Sequence, residues 1–130
     1  MKILIVEDDE STRADLIRLL KAKGYEIDYA TNGEEALKVI QTQKFDGILA
    51  DLNMPKMGGL ELAELLGGEP PFGLYTTGQD HKWINILAKK YRCAFFQPEA
   101  SLEKILNRAI STFKQTVIDH SDATKNLMLQ

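Results

Sequence analysis

The stretch Lys2-Ile3-Leu4-Ile5-Val6-Glu7-Asp8-Asp9 decides how this chain is read. Four aliphatic residues follow one another with no polar alternation, the mark of a strand buried on both faces, and three acids end the run. Doubly buried strands belong to parallel sheets, whose members are joined by crossover helices. A helix should therefore come next. Ser11 to Lys23 supplies it, with Ala14, Leu16, Ile17 and Leu20 along one side and Gly24 where a stop is needed. Tyr25 to Ala30 reads as a second strand, more polar and so nearer an edge. Asn32 stands three residues before Glu35, a capping arrangement opening a helix through Ala36, Leu37 and Ile40.

The alternation continues to the end of the chain. Phe45 to Ala50 is a third apolar strand, and a short helix spans about Gly59 to Leu66. Gly67-Gly68-Glu69-Pro70-Pro71 is a loop, and Phe72 to Thr76 a fourth strand. Asp80 caps a helix carrying Ile84, Leu87, Ala88 and Tyr91, and Cys93 to Phe96 makes a fifth strand. Leu102, Ile105, Leu106, Ala109, Ile110, Phe113 and Val117 form the clearest helical stripe. The pattern is lost after about Ile118, which predicts a folded module over 1–118 and a tail or linker over 119–130. Five strand-helix units specify an α/β fold, a five-stranded parallel sheet sandwiched between two helical layers.

Composition narrows the function classes. The chain has 130 residues, 44% hydrophobic and 27% charged, which suits one soluble globular domain. Sixteen basic against nineteen acidic residues give a net charge of -3, against direct nucleic-acid binding. The single cysteine excludes a disulfide framework and any multi-cysteine zinc site. The apolar run after Met1 is too short for a signal peptide or a membrane span, so a cytoplasmic location is expected. His81 and His120 stand apart from each other and from acid pairs at ligand spacing, and no glycine-rich nucleotide fingerprint follows any strand.

In open parallel sheets ligands bind beyond the carboxyl ends of the strands, where the strand order reverses. The first strand ends in Glu7-Asp8-Asp9 and the third in Asp51. Carboxylates gathered within a few ångströms repel and raise at least one pKa unless a cation neutralises them. Hard oxygen ligands of this kind suit Mg²⁺, which keeps waters that a phosphate oxygen can replace. The plainer reading is that Glu7 and Asp8 begin a helix, where acids favour the dipole; Asp51 at the matching end of another strand tips the balance to a metal. The fourth strand ends Tyr75-Thr76-Thr77-Gly78 and the fifth Phe96-Gln97-Pro98, whose X-Pro bond is a possible cis peptide.

Two segments, Ile3-Leu4-Ile5-Val6-Glu7-Asp8-Asp9-Glu10 and Ile48-Leu49-Ala50-Asp51-Leu52-Asn53-Met54-Pro55-Lys56-Met57-Gly58-Gly59, closely resemble the receiver domain of two-component response regulators. The likeness runs from Lys2 to about Val117. It implies a flavodoxin-like topology with strand order 2-1-3-4-5, and a phosphoryl group received on Asp51 from a sensor histidine kinase or phosphotransfer protein. It further implies Mg²⁺ held by Glu7, Asp8, Asp51 and the backbone carbonyl of Asn53, with the Thr77 hydroxyl as the switch. A receiver of this kind modifies itself and does not turn over a metabolite. Its output passes through the last two helices and the strand between them, to an effector protein or an output domain.

Two positions depart from the family pattern. Gln97 stands where the family has a lysine, and Ala94 where it has an aromatic residue. Exchanging ammonium for amide turns a charge-assisted hydrogen bond of about 1.5–3 kcal/mol into a neutral one of about 0.5–1.5 kcal/mol. Lys56 and Lys82 are the nearest replacement cations, though both suit a solvated surface, and Phe95 and Phe96 suit core packing better than a mobile aromatic. Trp83 fits a partner-facing or a packed position equally, and Cys93 fits an inert buried thiol. The alternative is a pseudo-receiver, an interaction module that does not depend on phosphorylation. A haloacid-dehalogenase-type hydrolase wants a second acid two residues after its nucleophile, and Asn53 occupies that position.

Overall fold

The computed structural model describes residues 1–76, 82–96 and 101–128; along 117–128 and at Lys82 only the backbone is described. The chain alternates β1 (Lys2–Val6), α1 (Glu10–Ala22), β2 (Glu26–Ala30), α2 (Gly33–Thr42), β3 (Gly47–Asp51), α3 (Gly59–Leu66), β4 (Phe72–Tyr75), α4 (Lys82–Lys90), β5 (Ala94–Phe96) and α5 (Leu102–Met128). All four strand pairings are parallel, in the order β2-β1-β3-β4-β5. The expected (βα)5 architecture is therefore present. From β1 the chain steps outward to β2, then returns past β1 to β3, so the order reverses between β1 and β3.

Period-two alternation divides the core. Ile3, Ile5 and Leu49 pack with Leu16 and Leu20 of α1 and with Ile105, Leu106, Ala109, Ile110 and Phe113 of α5. Leu4, Val6, Ile48 and Ala50 point the other way, against Ala36 of α2 and Leu62 and Ala63 of α3. Burying both faces is what the unbroken aliphatic runs require. β2 lies on an edge, and its exposed Glu26 and Tyr29 account for its mixed polarity.

Local chemistry sets the ends of the elements. Asp9 is the N-cap of α1, its Oδ2 accepting from the Thr12 amide at 2.8 Å and the Thr12 hydroxyl at 2.7 Å. Asn32 caps α2 through Oδ1, which accepts from the Glu35 amide at 2.9 Å. β3 begins two residues later than its sequence suggests because Asp46 is tied to the start of β1. Its Oδ2 accepts from the Lys2 amide at 2.7 Å, and its own amide donates to the Lys2 carbonyl at 2.8 Å. The last helix also runs past Ile118, to Met128. The apolar stripe there governs burial, whereas helicity continues because no glycine or proline interrupts the segment.

Gly47 opens β3 directly beneath α5. A Cβ there would lie 2.3 Å from Cδ2 of Phe113, itself fully buried, so the ring has no room to yield. Gly47→Ala is expected to destabilise the protein by about 1–3 kcal/mol through overpacking, seen as a lower urea midpoint. An unchanged midpoint would mean that the Phe113 contact does not fix α5 on the sheet.

Candidate functional site

At the reversal between β1 and β3, the row that places Ile3 and Ile5 on the α1/α5 side continues to Glu7, and the row of Leu49 continues to Asp51. Glu7, Asp8 and Asp51 each offer a carboxylate oxygen, and these oxygens lie within 4.8 Å of one another. Glu7 is buried, Asp51 half-buried and Asp8 exposed, so the cluster rises from the end of the sheet into solvent. Asp9 does not join it; it is spent on the cap. Neither Glu7 nor Asp8 begins the helix: Asp9 is its cap and α1 starts at Glu10.

Backbone and side-chain donors hold the cluster. Arg13 Nη1 donates to the carbonyls of Glu7 at 3.0 Å and Asp8 at 3.4 Å, while its guanidinium lies 5.1 Å from the centre of the Tyr29 ring. The cation braces the loop and leaves the carboxylates to other partners. Glu7 Oε1 accepts from the Asp9 amide at 3.2 Å, and Oε2 accepts from the Tyr75 hydroxyl. Asp51 Oδ1 accepts from the Asn53 amide at 3.2 Å. Behind Asp51 the backbone is crowded: a Cβ on Gly59 would lie 2.4 Å from the Asp51 carbonyl oxygen, so glycine lets α3 begin against the end of β3.

The electrostatic consequence is an elevated proton affinity. Burial first, and the Asp51 charge after it, push Glu7 up to about 7, against an opposing hydrogen bond from Tyr75. Burial also raises Asp51, with the Asp8 charge adding to it and the Asn53 amide opposing. Glu7 and Asp51 lie close enough for each to bear on the other's proton affinity. Burial beside Glu7 keeps the Tyr75 phenol protonated well beyond its ordinary range. Asp9 is lowered by the Thr12 hydroxyl and amide. Three hard oxygen donors of this kind fit a divalent cation that prefers carboxylates.

Other expected residues fall in different places. Thr77, Gln97, Pro98, Asp80 and His81 lie outside the described residues, as do the side chains of Lys82 and His120. Thr76 is buried immediately after β4. Lys56 is exposed in a left-handed turn with φ 66°. Phe96 is buried with the α1/α5 core, and Phe95 packs on the opposite side. Trp83 is exposed on α4, and burial pushes the Cys93 thiol up to about 11, consistent with an unreactive group. A cavity of about 510 Å³ opens at the far end of the sheet beside Phe45, Pro70 and Arg92, away from the acids. Tyr75 escaped the sequence reading. Its signal was a polar-tipped residue in β4 opposite Asp51 in register.

Residues 3–87 match the family described as the response regulator receiver domain. The chain belongs to this family. A Mycobacterium avium relative, the response regulator MprA, is 39% identical over 120 residues, covering 89% of this chain and 52% of that protein. The CAI-1 autoinducer sensor kinase/phosphatase CqsS of Vibrio cholerae is 42% identical over 65 residues, covering 50% of this chain and 10% of that one. Among solved structures, the Vibrio cholerae chemotaxis protein CheY4 is 27% identical with a TM-score of 0.76, covering 85% of this chain and 95% of that one. The receiver thus spans only part of the curated relatives it matches. It is a signalling module of two-component phosphorelays, and among its described residues no helix is long and apolar enough to cross a membrane.

Glu7 binds its proton near pH 7 in the fold and near its usual 4.5 when unfolded, so between these values the folded state holds more protons. Metal-free stability should therefore fall as pH rises from about 5 to about 8, by a total on the order of 3 kcal/mol. Thermal melts in a chelator across that range should show the decline, and Glu7→Gln should flatten it. A flat wild-type profile would mean that Glu7 holds its proton no more tightly in the fold than in the unfolded chain. At the alkaline end Asp51→Asn should stabilise the protein by roughly 1 to 3 kcal/mol, the scale of a like-charge pair at this spacing in an intermediate dielectric.

Proposed function

We propose that this receiver, residues 1–118 with 119–130 as tail or linker, accepts a phosphoryl group on Asp51 and signals through protein contacts. The supporting observation is the placement of the Asp51 carboxylate beside Glu7 and Asp8 at the open end of two adjacent strands. Glu7, Asp8, Asp51 and the Asn53 carbonyl would hold Mg²⁺, whose charge offsets that of the phosphoryl oxygens. Asp51 attacks the phosphorus of a phosphohistidine on a sensor kinase or phosphotransfer protein. A P–O bond forms to the carboxylate as the P–N bond breaks, and the donor ring, already protonated on its other nitrogen, takes the bonding pair and leaves as neutral imidazole. The Asn53 amide, on Oδ1, helps to orient the carboxylate for that attack.

Thr77 is assigned the switch hydroxyl, with Thr76 its nearest competitor, and Gln97 supplies a neutral group where the family has a cation. The module is not a turnover enzyme, and it works in the cytoplasm with no membrane or nucleic-acid contact of its own. The face built from α4, β5 and α5 carries the signal to an effector or output domain; Trp83 and Ile86 stand exposed there, at 56% and 72%.

Incubation with acetyl phosphate and Mg²⁺, followed by intact mass measurement, tests the proposal. Wild type should gain the mass of one phosphoryl group, and neither Asp51→Asn nor chelated wild type should gain it. No gain on wild type, under conditions that modify an ordinary receiver, would leave an interaction module acting by binding alone.

A further inference from the structure

Tyr75 is among the largest fully buried side chains, and it lies in the core between the sheet and α1 and α5 with Phe96, Ile105 and Leu106. Packing accounts for its ring and not for its hydroxyl. That hydroxyl reaches from β4 across β3 to Glu7, the residue that follows β1, and donates to Oε2. The register explains the reach. Tyr75 is paired with Asp51, Val6 with Ala50, and Glu7 is one step beyond Val6, so all three residues stand at one level. Asp51 and Tyr75 continue the rows that face α1 and α5, and Glu7 continues the row of Ile3 and Ile5.

Glu7 is thereby held from two sides, Oε1 by the Asp9 amide and Oε2 by the phenol. A buried carboxylate gripped at both oxygens keeps one orientation, and one of its oxygens lies within 4.8 Å of carboxylate oxygens of Asp8 and Asp51. We propose that Tyr75 is a positioning residue of the acidic site, whose O–H fixes the Glu7 carboxylate for a divalent cation shared with Asp8 and Asp51. It acts through Glu7. The inference rests on the Mg²⁺ reading above and assigns a part in it to a residue outside the ligand set. Neighbours that hydrogen-bond a ligating carboxylate commonly govern metal affinity as strongly as the ligands themselves.

Tyr75→Phe removes the hydroxyl and keeps the ring, so the packing against Phe96 and α5 survives. The probe is Mg²⁺ alone, titrated into acetyl phosphate reactions, with Tyr25→Phe at the other end of the sheet as control. The half-saturating Mg²⁺ for Tyr75→Phe should rise roughly 10- to 100-fold, while its rate at saturating Mg²⁺ stays within about a factor of two of wild type. Mg²⁺ should also perturb the near-ultraviolet tyrosine absorbance of wild type and Tyr25→Phe, and not of Tyr75→Phe. In a Glu7→Gln background Tyr75→Phe should add no further loss, because the two residues act as one unit. A Tyr75→Phe protein with the wild-type Mg²⁺ requirement, or with an equal loss in the Glu7→Gln background, overturns the role of Tyr75 alone. Wild type that takes up neither Mg²⁺ nor the phosphoryl group overturns the reading of the site itself.

Discussion

Like charge confined at a fixed distance is the constraint on which the working end of this protein depends. Parallel pairing of β1 with β3 sets Glu7 level with Asp51, and the turn after β1 brings Asp8 alongside. Alternation then decides how each acid is solvated. Glu7 follows the inward row of Ile3 and Ile5 and is buried, whereas Asp8 faces water. The sheet is stable because its two faces are covered, and that stability tolerates a repulsion at its edge which an isolated loop would relieve by moving apart. A small domain has only about 5–15 kcal/mol of stability in all, so a repulsion of a few kcal/mol persists only where the rest of the fold enforces it.

The manner of enforcement matters for chemistry. Arg13, a nearby cation, is directed at backbone carbonyls and at the Tyr29 ring. The carboxylates themselves meet neutral donors: the Asp9 amide, the Asn53 amide and the Tyr75 hydroxyl. Neutral donors orient a carboxylate without cancelling its charge. On the proposed function this leaves the electrostatic deficit to be met by a divalent cation, and it makes proton and metal compete for the same oxygens. A lysine in the site would weaken that competition by stabilising the ionised form. Burial is the largest cause of the raised Glu7 and of the raised Asp51.

Much of this was legible in the residues. Unbroken aliphatic runs at Ile3–Val6 and Ile48–Ala50 can be satisfied only by a doubly covered parallel sheet, and Asn32 and Gly24 mark helix ends by conformational chemistry alone. The acidic cluster followed from strand ends meeting where the order reverses. Register was harder. Asp46 reads as a strand residue until its bonds to Lys2 are known, and Tyr75 reads as core until its level with Glu7 is known. Both are cross-strand relations between residues far apart in sequence, which no local periodicity encodes. The end of α5 is a different case: the helix runs to Met128, past the point where the apolar stripe in the sequence ends.

Transmission is where the departures from the family weigh most. Moving a two-state equilibrium almost wholly from one side to the other takes about 5.5 kcal/mol of differential binding. In β5 the position of the family's aromatic residue holds Ala94, a methyl against the α1/α5 core, while Phe96 is buried in that core and Phe95 packs on the other side. Ala94 has no ring to turn, Phe96 is buried, and the half-buried Phe95 lies on the opposite side of the sheet from Ala94. On the proposed function the differential energy would arise at the acidic site, from charge rearranged when a phosphoryl group joins Asp51. The rigid path leading away from that site is β4, which carries the Tyr75 hydroxyl to Glu7, accepts the Leu52 amide on its Tyr75 carbonyl, and pairs directly with β5. On the proposed function, β4 and its pairing with β5 are the elements through which a change at the acidic site would reach the edge of the sheet.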